Sequence, residues 1–210
     1  MDLSKTIQEY FNELSSNTPT PGGGNVAAIC GALSASLALM VCNLTIGKKK
    51  YADVEQEMND LKEKLEGYQK IFFNLAEKDN EAFNKVMAAF KLPKETDIEK
   101  ELRSKKIEEA TISAAEIPSD VMKMCSKILP VIKTVIDKGN KNSLSDAGVA
   151  ALLTGTAAKA AYLNVLINCA SLSNQTIAGE IKKSTEILDD EISRTSAQLV
   201  EQVVHEVQLQ

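Results

Sequence analysis

The chain has 210 residues, enough for one large domain with its own core. Its 29 acidic and 24 basic side chains leave a formal net charge of -5 and are interspersed. No basic stripe or aromatic-basic interleaving is present, which argues against nucleic-acid binding. Alanine, leucine, lysine and glutamate dominate, Trp is absent, and the ten glycines and five prolines are clustered, a composition that favours helices over sheets.

Residues 3–14 are predicted as a short amphipathic helix with Ile7, Tyr10, Phe11 and Leu14 on one side. Residues 15–24 hold Pro19, Pro21 and the triplet Gly22-Gly23-Gly24, so they read as a loop, with Asn25 placed to cap the next helix. That helix, 26–46, is almost free of charge. Ala27, Gly31 and Ala35 form one stripe at a spacing of four, and Ala28, Ala32 and Ser36 form another, so a neighbouring backbone can approach closely. Gly47 ends it, and Lys48-Lys49-Lys50 sits where a helix C-terminus favours cations. This segment is long enough to cross a bilayer. It contains Ser34, Ser36, Asn43 and Thr45 and lacks interfacial aromatics, so the expectation is the central helix of a soluble bundle, with no membrane partner.

Residues 53–90 read as one long helix. Met58, Leu61, Leu65, Tyr68, Phe72 and Leu75 advance by threes and fours; the seam meets Asp79 and resumes at Ala82/Phe83, Val86 and Phe90. After Leu92-Pro93-Lys94 a helix is expected over 97–117, interrupted at Pro118 and restarted by Ser119 as a cap through 137, with a kink at Pro130. Residues 139–142 form a turn. The second apolar helix, 144–170, opens on Ser143-Leu144-Ser145-Asp146, a capping-box pattern, and repeats the small-residue theme at Gly155, Ala157, Ala158, Ala160 and Ala161. Residues 175–207 carry the mixed charge of a surface helix. The expected fold is therefore an all-α, single-domain helical bundle with two central small-residue-rich apolar helices.

The cysteines, at 30, 42, 125 and 169, form no C-x-x-C pair and read as small buried hydrophobes in a reducing, cytoplasmic setting. The N-terminus has neither the basic nor the apolar region of a signal peptide. The single histidine, His205, lies in the last helical turn, so acid-base chemistry falls to Asp, Glu, Lys or Tyr, and no metal site is expected. Asp79 interrupts an apolar seam. It is either a carboxylate tuned by burial for proton transfer or one that pairs with a lysine or caps a neighbouring helix. Asp146 is a capping residue or a functional acid at the mouth of an apolar helix. Asn164 and Asn168, four apart on one face, need partners on other helices or a polar ligand. The glycine triplet exposes backbone N–H groups at a helix start, and Lys48, Lys49 and Lys50 offer a cationic rim. Lys159 and Tyr162 lie on a different helical face from the asparagines and read as packing or surface.

The segments Pro19-Thr20-Pro21-Gly22-Gly23-Gly24-Asn25 with Ala27-Ala28, and Leu44-Thr45-Ile46-Gly47-Lys48-Lys49-Lys50-Tyr51, resemble the cyclodeaminase/cyclohydrolase family of folate enzymes. So do Asp79 with Ala82-Phe83, Leu92-Pro93-Lys94, Arg103, Pro118, Gly139-Asn140, Ser145-Asp146-Ala147-Gly148-Val149-Ala150, and Asn164-Val165 with Asn168. Asn25 stands where the family often has Ser. The resemblance runs in order over nearly the whole chain. It implies an all-helical homodimer that uses a tetrahydrofolate derivative as substrate and needs no metal or organic cofactor. The leading implied activity is hydrolysis of 5,10-methenyltetrahydrofolate to 10-formyltetrahydrofolate. The alternative is formiminotetrahydrofolate cyclodeamination, with loss of ammonia. A non-catalytic helical oligomerisation module is the reading from another class. Under the resemblance, Asp146 or Asp79 supplies the carboxylate that moves a proton and stabilises the methenyl cation, and Asn164 and Asn168 hold the pterin or the attacked centre. Gly22, Gly23, Gly24, Asn25, Lys48, Lys49, Lys94, Arg103 and Asn140 are expected to bind substrate, its anionic glutamate tail included, and Tyr51 to stack on an aromatic ring.

Overall fold

Helices this poor in charge need apolar partners, and the two alanine-rich segments pack one face against each other and against the rest of the chain. The structure, a computed structural model, describes residues 6–209. Its elements are α1 (Ile7–Leu14), α2 (Gly23–Thr45), a 3-10 turn (Lys49–Val54), α3 (Glu55–Phe90), α4 (Asp97–Lys138), a short 3-10 turn (Lys141–Ser143), α5 (Leu144–Ala170) and α6 (Gln175–Gln208), with no strand among the described residues. The first residues of the expected 3–14 helix lie outside the described part; the rest is α1, opened by a Thr6–Glu9 capping box. α2 packs on α3, α4 and α5, and α5 packs on α2, α4 and α6. Both central helices are long and apolar enough to cross a membrane by length and composition, and both are packed into the bundle.

The small residues bring backbones together. Ala27, Ala28, Ala35 and Ala38 are fully buried. Gly31 faces Phe72 of α3 so closely that a Cβ there would overlap the ring. Ser34 ties the two apolar helices, donating to the Ala150 carbonyl at 2.7 Å and sharing a hydrogen bond with Thr154 Oγ1 at 2.7 Å. These polar groups are buried but satisfied, so they fix register at little cost. Gly47, at φ 77°, ends the segment in the left-handed conformation that glycine tolerates.

Three sequence expectations are corrected. α4 runs unbroken through both prolines, and Ser119 is a buried interior residue, not a cap. A proline removes a single N–H from the ladder, and packing of α4 on α2, α3, α5 and α6 outweighs that loss. Ser143 stands at the N-cap of α5 but makes no side-chain capping bond, so the expected capping box with Asp146 does not form. α2 starts at Gly23 with Gly22 as its N-cap, which places Asn25 inside the first turn instead of at its entrance.

The two kinds of helical glycine predict opposite signs. Gly31→Val is expected to lose about 1–3 kcal/mol through overpacking against Phe72. Gly67→Ala, where an added Cβ meets nothing within 4 Å, is expected to gain about 0.5–1 kcal/mol. Urea unfolding of both variants checks this.

Candidate active site

Where α2 begins and α5 ends, the helices do not close. A cavity of about 300 Å³ lies between the loop at Pro19 and Thr20, the Gly22–Gly24 turn, Asp79, Phe83 and Val86 of α3, Ala114 of α4, and Asn164, Ile167 and Asn168 of α5. Gly22 has no side chain with which to cap α2. The first-turn N–H groups of Gly23 and Gly24 therefore have no side-chain cap and are left for a ligand, at the positive end of the helix dipole.

Asp79 projects from the apolar seam of α3 onto that turn. A Cβ on Gly24 would strike its carboxylate, so only glycine permits the approach. Burial pushes the Asp79 carboxyl above the ordinary aspartate value of 3.8, and the Asn25 backbone N–H bonded to it pulls part of the way back. Asp79 thus meets the start of a neighbouring helix, as the capping reading expects, while partial burial raises its pKa. Among the described residues it is the one charged side chain lining the cavity.

The two asparagines present the same chemistry. Asn164 Nδ2 donates to the Ala160 carbonyl at 2.8 Å. Asn168 Nδ2 donates to the Ala114 carbonyl, across to α4, at 2.9 Å. Each Nδ2 places one of its two hydrogens on a backbone carbonyl, which leaves its second N–H and the Oδ1 for a ligand in the cavity. The cavity therefore combines a carboxylate, two amide side chains and the backbone donors of a helix start. It suits a ligand that carries positive charge or several N–H donors next to a carbonyl or anionic group.

The other expected site residues lie elsewhere. Asn25 is wholly buried: its Nδ2 donates to the Ala76 carbonyl at 2.7 Å, and its Oδ1 accepts from the Tyr10 hydroxyl at 2.8 Å. It clamps α1, α2 and α3 together and touches the site only through its backbone. Asp146 is in the first turn of α5, eighteen residues before Asn164, which puts it about 27 Å along the helix. Near that end, Asn140 Nδ2 donates to the Leu44 carbonyl at 2.9 Å, its backbone N–H donates to Thr45 Oγ1 at 2.8 Å, and the Tyr51 hydroxyl accepts from the Lys141 N–H at 3.0 Å. These contacts join the end of α2 to the α4–α5 connection, with Lys48 and Lys49 exposed beside it. Lys94 is exposed in the α3–α4 connection. Arg103 donates through Nη2 to the Phe90 carbonyl at 3.1 Å and covers the Phe90 ring, so it caps α3. Lys159 pairs with Asp189 at 2.6 Å, away from the cavity. The sequence reading missed Phe83, Val86 and Ile167 as walls, although each sits a helical turn or two from Asp79 or Asn164. It also missed the Ala114 carbonyl, which no side-chain pattern reveals. Among the described residues, no group of three or more His, Cys, Asp or Glu side chains comes together to hold a metal.

The Asp79 shift carries a sign. Its carboxyl holds a proton more tightly in the folded chain than in the unfolded one, so ionising it costs stability. The cost is absent below the ordinary aspartate value and complete above the raised one. Asp79→Asn is therefore expected to melt above the wild type at pH 7, the gap closing as pH falls toward 4; paired thermal melts across that range test it.

The chain is similar in sequence and in fold to several characterised proteins. A family model described as formiminotransferase-cyclodeaminase matches residues 6–187. A methenyltetrahydrofolate cyclohydrolase of Methylorubrum extorquens is 41% identical over 204 residues, covering 97% of this chain and 98% of that protein. A formimidoyltransferase-cyclodeaminase of Rattus norvegicus is 30% identical over 198 residues, but there the match covers 94% of this chain and only 36% of the longer relative. The crystal structure of a formiminotetrahydrofolate cyclodeaminase from Thermotoga maritima superposes with a TM-score of 0.80 at 32% identity, covering 95% of this chain and 98% of that one.

Proposed function

The chain belongs to the formiminotransferase-cyclodeaminase family, and on that footing we propose that it hydrolyses 5,10-methenyltetrahydrofolate to 10-formyltetrahydrofolate. The observation that carries the reading is the half-buried carboxylate of Asp79, the one charged side chain lining the cavity among the described residues, set against a glycine helix start and two asparagine amides. The methenyl bridge is a cation delocalised over two folate nitrogens. A cavity with one carboxylate and amide oxygens within its walls favours that charge. Water adds to the bridging carbon as Asp79 takes one of its protons. The C–N5 bond then breaks as the remaining hydroxyl becomes the formyl carbonyl and N5 gains a proton, so one proton in total passes to solvent. The N–H groups of Gly23 and Gly24 in the first turn of α2 are left for a carbonyl or anionic part of the substrate.

Hydrolysis is preferred over cyclodeamination because the 41% identical relative, matched end to end, bears the cyclohydrolase name. A non-catalytic module would leave a half-buried carboxylate open to a cavity without purpose. In this reading the folate is substrate and no metal or organic cofactor takes part. We also assign a homodimer. The exposed face of α2 and α5 carries Leu33, Met40, Leu44, Val149, Leu152, Leu163 and Ile167, with no charged residue on that stripe of α2, and a second copy would cover it. Four unpaired cysteines accord with a cytoplasmic setting.

The test follows the near-ultraviolet absorbance of 5,10-methenyltetrahydrofolate. Protein-dependent loss with 10-formyltetrahydrofolate as product is expected, and Asp79→Ala is expected to lower kcat/KM by about 100-fold or more. Full turnover in folded Asp79→Ala would move the role to Asp146. No loss with wild-type protein, but formation of the methenyl compound from 5-formiminotetrahydrofolate, would replace hydrolysis by cyclodeamination.

A further inference from the structure

An α-helix of 42 residues that runs through two prolines leaves one backbone acceptor without its helical donor at each. The helical partner of the Ala114 carbonyl is the N–H of residue 118, and Pro118 has none. Ala114 is 7% exposed, and a buried carbonyl must find a donor. The donor it finds comes from another helix: Asn168 Nδ2, at 2.9 Å. We propose that Pro118 is a positioning residue for the active site, its missing N–H keeping the Ala114 carbonyl free to hold the Asn168 amide and so turning Asn168 Oδ1 toward the substrate.

An amide side chain has a donor end and an acceptor end of nearly the same shape. Without a fixed partner for its nitrogen, Asn168 can rotate its NH2 group into the cavity, which would put donors where a cationic bridge requires acceptors. Asn164 has a different anchor, the Ala160 carbonyl one turn back in its own helix, and does not depend on a break in another ladder. Pro118 itself is buried and lines no part of the cavity, so it acts only through Ala114 and Asn168. The role assigned to Asn168 Oδ1 rests on the folate reading above; the link from Pro118 to the amide does not.

Pro118→Ala restores the N–H and lets it compete for the Ala114 carbonyl. The variant is expected to melt higher, by about 3 °C or more, and yet to lose about tenfold in kcat/KM on 5,10-methenyltetrahydrofolate. Asn168→Ala is expected to lose a similar factor. Adding Pro118→Ala to it should then change kcat/KM by less than about twofold, because the two act through one bond. A readout independent of turnover is hydrogen exchange of the Asn168 side-chain amide by NMR, its signal assigned by its loss in Asn168→Ala. Exchange should be about tenfold faster in Pro118→Ala than in wild type. Unchanged exchange, independent effects of the two substitutions, or a Pro118→Ala chain that fails to fold would each overturn the proposal. A wild-type protein inert toward both folate substrates would instead refute the assigned activity, while the exchange measurement still decides this link.

Discussion

The close approach of α2 to its neighbours is the constraint on which the rest of the structure depends. Alanine and glycine contribute little side-chain burial each, so α2 gains its stability from backbone proximity and dense contact rather than from large hydrophobes. Phe72 fits only because Gly31 has no side chain, and the Asp79 carboxylate fits only because Gly24 has none. The same device thus builds the core in the middle of the helix and the site at its end. A helix packed this tightly cannot shift by a fraction of an ångström without collision, which gives the first-turn N–H groups a fixed position.

The site is made from what the helices leave unsatisfied. α2 starts without a side-chain cap, so its N–H groups are available and draw in a carboxylate from α3. α4 passes through a proline, so one of its carbonyls is available and draws in an amide from α5. Each unsatisfied group is met from a different helix, and each pairing aims a polar group at the same cavity. Tyr10 and Asn25 add a clamp outside the cavity that holds α1, the start of α2 and the middle of α3 in one arrangement. The result is preorganisation: the polar side chains are anchored before any ligand arrives, so little rearrangement is required when charge develops.

The far end of the bundle uses the same residue types for a different purpose. Asn140, Thr45 and Tyr51 exchange hydrogen bonds among backbone and side chains and seal the junction of α2 with the α4–α5 connection. Residues that share a motif therefore serve two ends of one helix pair, separated by about 27 Å along α5.

The sequence by itself determined the all-helical class, the pairing of two apolar helices, the seam of α3, and the placement of Asp79, Asn164 and Asn168 on inward faces. These depend on periodicity and composition, which are local properties of a few turns. It also marked the glycine triplet as a special backbone segment. Only the tertiary structure decided that Asp79, the glycines and the two asparagines meet, because they lie on three helices and a loop far apart in the chain. It turned Asn25 inward, since Gly22 and not Asn25 opens α2, and it gave Arg103 to the end of α3. It also carried α4 through Pro118, where local propensity predicts a break: packing against four helices overrode the lost N–H, and the carbonyl thereby released accepts from Asn168.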